Sequence, residues 1–179
     1  MAAAVGIGRF IYTPILPLMV EDLGMTKSAA GLLASANFAG YLAGALAAAL
    51  PGLPGSRRRW LIAALVASAL TTAGMAVPSS IGAFLLLRFV GGVASAFGLV
   101  FSSALVLDRL SALGRPRLAA LHFAGVGTGV AIDAVLAVAL SSRGWRALWL
   151  AAGLVSMLAA IVVAAASPVA RGWRRGRRR

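Results

Sequence analysis

The chain has no cysteine, a single histidine and only four acidic residues in 179. Without thiols there can be no disulfide, no thiolate metal site and no cysteine nucleophile, and the redox compartment leaves no mark on the sequence. Glu21, Asp22, Asp108 and Asp133 offer no carboxylate pair placed for general acid and base work. A Walker A sequence, an HExxH and a Ser-His-Asp set are also missing, so neither an ATP-driven pump nor a membrane hydrolase has its machinery here. The chain reads as a non-enzyme that implies no cofactor and no metal. Charge itself is scarce: 12% of residues are charged, against about 25% in a soluble domain.

What fills the chain instead is apolar: 61% of residues are hydrophobic, and the mean hydropathy is +0.94. The apolar residues come in blocks near the roughly 20 residues that cross a bilayer core. Six spans are expected, at about residues 2–20, 28–50, 60–77, 81–107, 118–140 and 147–166. The fold class is an all-α membrane protein, residues 1–167 forming the bundle and 168–179 a basic tail. Pro14 and Pro17 predict a bent first span, which also carries Arg9 and Thr13. Ser28 is the expected N-cap of the second span, and Pro51 and Pro54 end it. Met1 to Gly8 holds no positive n-region, so the first span is expected to be retained and not cleaved.

A net charge of +13 would ordinarily raise nucleic acid as a partner, but the arginines lie between apolar blocks. There they act as topology determinants and anchors to anionic headgroups, and the expected partner is the lipid bilayer. With the N-terminus inside, the cytoplasmic segments hold Arg57, Arg58, Arg59, Arg109, Arg115, Arg117 and the six arginines of the tail. The other side holds Lys27, Arg143 and Arg146. This asymmetry places a multi-pass protein in the inner membrane with both termini cytoplasmic. The tail could bind anionic lipid or be the stub of a connecting loop.

The chain resembles itself. Arg9-Phe10 answers Arg88-Phe89, and Asn37-Phe38-Ala39-Gly40 answers His122-Phe123-Ala124-Gly125, at offsets of 79 and 85. More loosely, Trp60-Leu61-Ile62-Ala63-Ala64 answers Trp149-Leu150-Ala151-Ala152. Three helices per copy is an odd number, so the second copy enters the membrane from the opposite side. That 3+3 inverted repeat is a transporter architecture. Gly40 and Gly44 form a GxxxG in the second span, and Gly125 and Gly129 form one at the matching place in the fifth. Both are helix-packing faces, either within the bundle or against another.

Arg9, Arg88, His122 and Asp133 are the ionisable residues inside spans. Each is costly in lipid and is expected to face a cavity or a partner. Arg88 and Asp133 share a depth, roughly 10 Å below the outer surface at about 1.5 Å per residue, which makes them a candidate ion pair. Arg9 has no carboxylate at its depth. It could receive an anionic substrate, bias proton movement, or be satisfied by backbone carbonyls near Pro14 and Pro17. His122, a few residues into its span, suits a headgroup-level contact. Asn37 and Tyr41, one turn apart, could line a cavity or bond across helices.

The stretch Gly6-Ile7-Gly8-Arg9-Phe10-Ile11-Tyr12-Thr13-Pro14-Ile15-Leu16-Pro17-Leu18-Met19 closely resembles the first-helix signature of YbfB/YjiJ-like transporters of the major facilitator superfamily. Asn37-Phe38-Ala39-Gly40-Tyr41-Leu42-Ala43-Gly44 resembles their second helix, Arg88 with Gly91-Gly92 the fourth-helix motif, and Gly125-Val126-Gly127-Thr128-Gly129 the fifth. The loop motif after the second helix is reduced to Gly55-Ser56-Arg57-Arg58-Arg59, without its acidic residue. The resemblance implies the N-terminal half of a secondary active transporter of a small solute. The first and fourth helices would line the cavity, and the second and fifth would meet the other half. Arg9, Tyr12, Thr13, Asn37, Tyr41 and Arg88 would then belong to the translocation path. Half of such a machine implies a homodimer or a separately encoded second half. The competing expectation is a non-transporting remnant, or a membrane interaction protein packing through its GxxxG faces.

Overall fold

The computed structural model describes residues 1–77 and 80–166; the basic tail at 168–179 lies outside them. Six helical rods and no strand occur among the described residues. The first rod begins as a π-helix over Ala2–Ile7, passes through an α turn at Gly8–Phe10 and continues as α1, Tyr12–Leu23. Its break at Ile11 has a chemical cause. Pro14 has no N–H, and its ring crowds the carbonyl of Phe10, four residues back. Gly24 ends α1 in the left-handed region at φ 60, its N–H returned to the Val20 carbonyl, a conformation that only glycine adopts freely.

The remaining rods are α2 (Lys27–Ala49), α3 (Arg57–Gly74), α4 (Ile81–Ala112), α5 (Ala119–Leu140) and α6 (Gly144–Ala166). Side-chain caps set three starts. Thr26, and not Ser28, caps α2, its Oγ1 accepting from the Ala29 N–H at 3.1 Å, because Lys27 and Ser28 are already in the first turn. Ser56 caps α3 three residues earlier than hydropathy suggests, so Arg57 to Arg59 are helical. Ser80 caps α4, which runs past Asp108 to Ala112. Between α5 and α6 the 3-10 turn Ser141–Arg143 ends at Gly144 with φ 79, and that value separates two rods that are otherwise one helical stretch.

Lys27–Ala49, Ile81–Ala112 and the stretch Pro116–Ala166 are long and apolar enough to cross a membrane, with mean hydropathies of 1.4, 2.0 and 2.4. The first rod and α3 fall short for visible reasons: the one is broken at Ile11, and the other opens on three arginines. The outer surface is apolar to match. Leu32, Phe38, Leu42 and Leu46 stand exposed along α2, as do Leu150, Leu154, Leu158 and Ile161 along α6. Contiguous apolar stripes of this size are out of place on a soluble monomer and in place against lipid tails.

Packing pairs the rods in a definite way. α2 lies against α4, α3 lies against α4 and α6, and the Ala2–Ile7 segment lies against α5. Glycines close three of these contacts, one of them α3 on α6, where a Cβ on Gly153 would run into Ala73. A Cβ on Gly40 would run into the Phe89 carbonyl of α4, one on Gly44 into Val93, and one on Gly92 back into the Asn37 carbonyl. On the other side a Cβ on Gly129 would lie 2.6 Å from the Cα of Gly6, and one on Gly125 3.2 Å from Met1. In lipid, where apolar burial gives helices little reason to associate, backbone approach of this kind supplies much of the attraction. Both GxxxG faces are therefore used inside the bundle.

Two apolar clusters fill the interior. One gathers Ile7, Ile11, Ile15, Met19, Leu33, Phe84, Trp145, Leu148 and Trp149; the other gathers Leu61, Leu65, Phe101 and Ala160. At the second cluster's end of the molecule Arg57 pairs with Asp108 at 2.7 Å, and Arg58 donates to the Ala164 carbonyl at 2.9 Å. At the other end Trp145 donates to Asp22 at 2.6 Å. The Arg57–Asp108 pair is exposed on both sides, so it is worth no more than about 1 kcal/mol.

A cationic and aromatic candidate translocation site

Two arginines enter the bundle and neither meets a carboxylate. Arg88 of α4 is 5% exposed, and its guanidinium lies 4.5 Å from the ring centre of Tyr12. Tyr12 is fixed for that role: its hydroxyl donates to the Ala30 carbonyl at 2.8 Å, and its ring lies against Trp149, centroids 6.4 Å apart. Trp149 in turn donates to the Met19 sulfur at 3.4 Å. Asn37 of α2 donates to the backbone carbonyl of Arg88 at 3.0 Å, which ties α2 to α4 beside the close glycine contact. Arg9, half-buried, is held between two rings of α2, 4.6 Å from the centre of Phe38 and 4.3 Å from that of Tyr41.

The expected path residues thus fall into two linked groups, Arg9 with Tyr41, and Tyr12 with Arg88 and Asn37. Asn37 and Tyr41, one turn apart, do different things: Asn37 bonds across helices while Tyr41 receives a cation. Thr13 is exposed on the first rod and joins neither group. Phe38 and Trp149 belong to the site, although the sequence marked them only as members of the internal repeat and not as path residues. Thr71 and Thr72 also reach it, since a small cavity is lined by Gly8, Asn37, Thr71, Thr72, Arg88 and Trp149.

The expected ion pair between Arg88 and Asp133 does not form. Among the described residues only Arg57 and Asp108 come within ion-pair distance, and neither Asp133 oxygen has a hydrogen-bond partner. Equal depth does not fix azimuth. α5 packs chiefly on the Ala2–Ile7 segment, and Arg88 turns instead onto the Tyr12 ring. His122 is half-buried on the wall of a cavity of about 500 Å³ that also includes Ser102 and Arg109.

Residues 1–176 match the family model described as uncharacterised MFS-type transporter YbfB. The chain belongs to this family. A relative named "Probable transporter SCO4007", from Streptomyces coelicolor (strain ATCC BAA-471 / A3(2) / M145), is 37% identical over 170 residues. That match takes in 93% of this chain and 39% of the relative, so the chain spans well under half the length of the relative. As a member of an MFS-type transporter family with long apolar helices, the chain is a membrane protein.

Two guanidinium groups thus lie on aromatic faces, while the Asn37 amide donates to the Arg88 carbonyl and the Thr71 hydroxyl to the Ala67 carbonyl of its own helix. Tyr12→Phe checks the arrangement. It keeps the ring under Arg88 and loses the bond to Ala30, so we expect a stability loss of about 1 kcal/mol, seen as an earlier thermal transition in detergent. A loss several times larger would mean that the ring itself had moved.

Proposed function

We propose that the chain is a secondary active transporter of the major facilitator type, acting as an N-terminal six-helix half that moves a small solute across the inner membrane by alternating access. The observation that carries this reading is the pair of arginines, Arg9 and Arg88, kept inside the bundle on aromatic rings without a carboxylate partner. A fold tolerates such cost where a solute or ion pathway needs the charge.

Support for the inverted 3+3 arrangement comes from the way the rods pair. The α2 to α4 contact and the first rod to α5 contact are related by exchange of the two three-helix copies, and each is closed by a GxxxG of the matching helix. Support for both termini being cytoplasmic comes from the ends of the bundle. Arg57, Arg58, Asp108 and Ala164 meet at one end, while Asp22 and Trp145 meet at the other, as alternating spans require. A half of this kind cannot enclose a solute alone, so the path is completed by a second six-helix half, supplied by a second copy, a separate chain or a continuation of this one. The reading as an interaction protein loses its contact surface, because both GxxxG faces are spent inside the bundle.

The test is reconstitution of the purified chain in liposomes loaded with a pH-sensitive dye, with oligomeric state read by crosslinking in the same membranes. Addition of a solute from a panel of organic anions, amino acids and sugars should drive a flux. Arg9→Ala should weaken apparent solute affinity about tenfold, the equivalent of a desolvated cation–π contact of 1 to 2 kcal/mol, and Arg9→Lys should recover part of it. No flux from the chain in any oligomeric state, together with no uptake or efflux phenotype in cells, would defeat the transport reading.

A further inference from the structure

The cavity that His122 shares with Ser102 and Arg109 has no lining residue in common with the small one beside Arg88. Arg109 stands about 30 Å along α4 from Arg88, at about 1.5 Å per residue. The cavity lies at the end of the bundle where Arg57 pairs with Asp108 and Arg58 donates to the Ala164 carbonyl. It is remote from the two arginines on aromatic rings.

Its wall is amphipathic. Leu61 and Leu65 of α3, Leu105 and Val106 of α4 and Ala159 of α6 make the apolar part. Two basic side chains belong to the polar part. Arg109 is exposed, and among the described residues its guanidinium makes neither an ion pair nor a side-chain hydrogen bond. His122 of α5 has its Nε2 buried and without a hydrogen-bond partner. The Ser102 hydroxyl is already used, on the Met1 sulfur and the Leu99 carbonyl. A buried ring nitrogen left unpaired costs free energy until something polar reaches it.

These parts together describe one kind of ligand. A cavity of about 500 Å³ falls within the roughly 300 to 1,000 Å³ of small-ligand pockets, and its aliphatic wall suits hydrocarbon. An arginine and a histidine on the same wall, with no acidic residue lining it, suit an anion. Positive charge continues beyond them, because Arg115 and Arg117 line an open hollow in the turn from α4 to α5. A water-soluble anion has no use for the aliphatic wall. A membrane lipid has both halves, and the bilayer around the chain supplies it.

We propose that this cavity binds an anionic phospholipid of the leaflet at this end of the bundle, an acyl chain lying among Leu61, Leu65, Leu105 and Val106 and the phosphate accepting from Arg109 and from His122 Nε2. The lipid joins α5, which otherwise packs chiefly on the Ala2–Ile7 segment, to α3, α4 and α6. The site uses neither Arg9 nor Arg88, so it stands whether or not the chain moves a solute.

The test titrates the purified full chain in detergent with phosphatidylglycerol, with phosphatidylcholine of the same acyl chains, and with inorganic phosphate. Phosphatidylglycerol should raise the thermal transition and stay on the chain in native mass spectrometry; the other two should do neither. Arg109→Gln, at an exposed position, should fold as the wild type does and bind phosphatidylglycerol about tenfold more weakly, the effect of losing one hydrogen bond to a charged group. Arg109→Lys should recover part of that loss. His122→Phe keeps a ring in place and should weaken binding likewise, while Val106→Trp should shut out the acyl chain and abolish the response. Equal response to the two lipids, a response to phosphate alone, or a phosphatidylglycerol response unchanged in all the variants would overturn the proposal. A transition that rises with protein concentration and ignores lipid would overturn it too, by giving the cavity to a second copy.

Discussion

Gly40→Val should prevent the bundle from closing, giving a chain that inserts in the membrane but shows no cooperative thermal transition in detergent. The added atoms would meet the Phe89 carbonyl, which is backbone and cannot turn aside. To make room α2 must move off α4, and that movement pulls Gly44 from Val93, Gly92 from the Asn37 carbonyl and the Asn37 amide from the Arg88 carbonyl. Losses of this compound kind fall in the exceptional range above about 4 kcal/mol. Gly127→Ala is the matched control. Gly127 lies in the same run of glycines as Gly125 and Gly129, yet a Cβ there meets nothing within 4 Å. Replacing it should leave stability unchanged or raise it by up to about 1 kcal/mol, the helix-propensity difference. Equal damage from both substitutions would mean that glycine content, and not backbone approach, is what the helices need.

Arg88→Met should separate stability from function. The buried guanidinium has no carboxylate within ion-pair distance and its Nε has no partner, so the fold carries the cost of its desolvation against one cation–π contact. Replacing unfavourable buried charge by an apolar chain of similar volume is commonly neutral or stabilising by about 1 to 4 kcal/mol, while the lost contact with Tyr12 is worth about 2 kcal/mol at most. We therefore expect the variant to melt within about 2 kcal/mol equivalent of the wild type, with solute flux abolished. Reduced stability with flux intact would make Arg88 a structural residue and take it out of the path. The wild type would then be keeping a cation for packing alone, which its unpaired state gives no reason to expect.

Much of the architecture was legible in the sequence because bilayer thickness acts on every span alike. A block of about 20 apolar residues must become a helix there, since unsatisfied backbone groups have no water to turn to. Pro51 and Pro54 accordingly follow the end of α2 at Ala49, while α4 runs five residues beyond its apolar block to Ala112. The caps were less legible: Thr26 and Ser28 are chemically similar, and only the turn geometry selects Thr26. The arginine-rich starts were also hidden from hydropathy, because a guanidinium on a long stem can sit in a first helical turn and still reach the headgroups.

The site was half legible. Residue type was enough to single out Arg9, Arg88, Asn37 and Asp133, because an ionisable or amide group in lipid demands a reason. Who meets whom was not. Depth along a helix follows from counting residues at a constant rise, but the direction a side chain faces depends on rotation and on which neighbour approaches. That is why Arg88 was paired with Asp133 on depth and is found on Tyr12.

The sequence by itself determined that this chain belongs in a membrane and which few polar groups must be accounted for, because those properties follow from local composition and from the solvent. Only the tertiary structure decided that the glycines of α2 close on α4 and those of α5 on the first rod, that both arginines rest on aromatic rings, and that Asp133 is left without a cation. Those outcomes arise from azimuth and close packing between segments as far as 127 residues apart, from Ala2 to Gly129, and no local pattern encodes them.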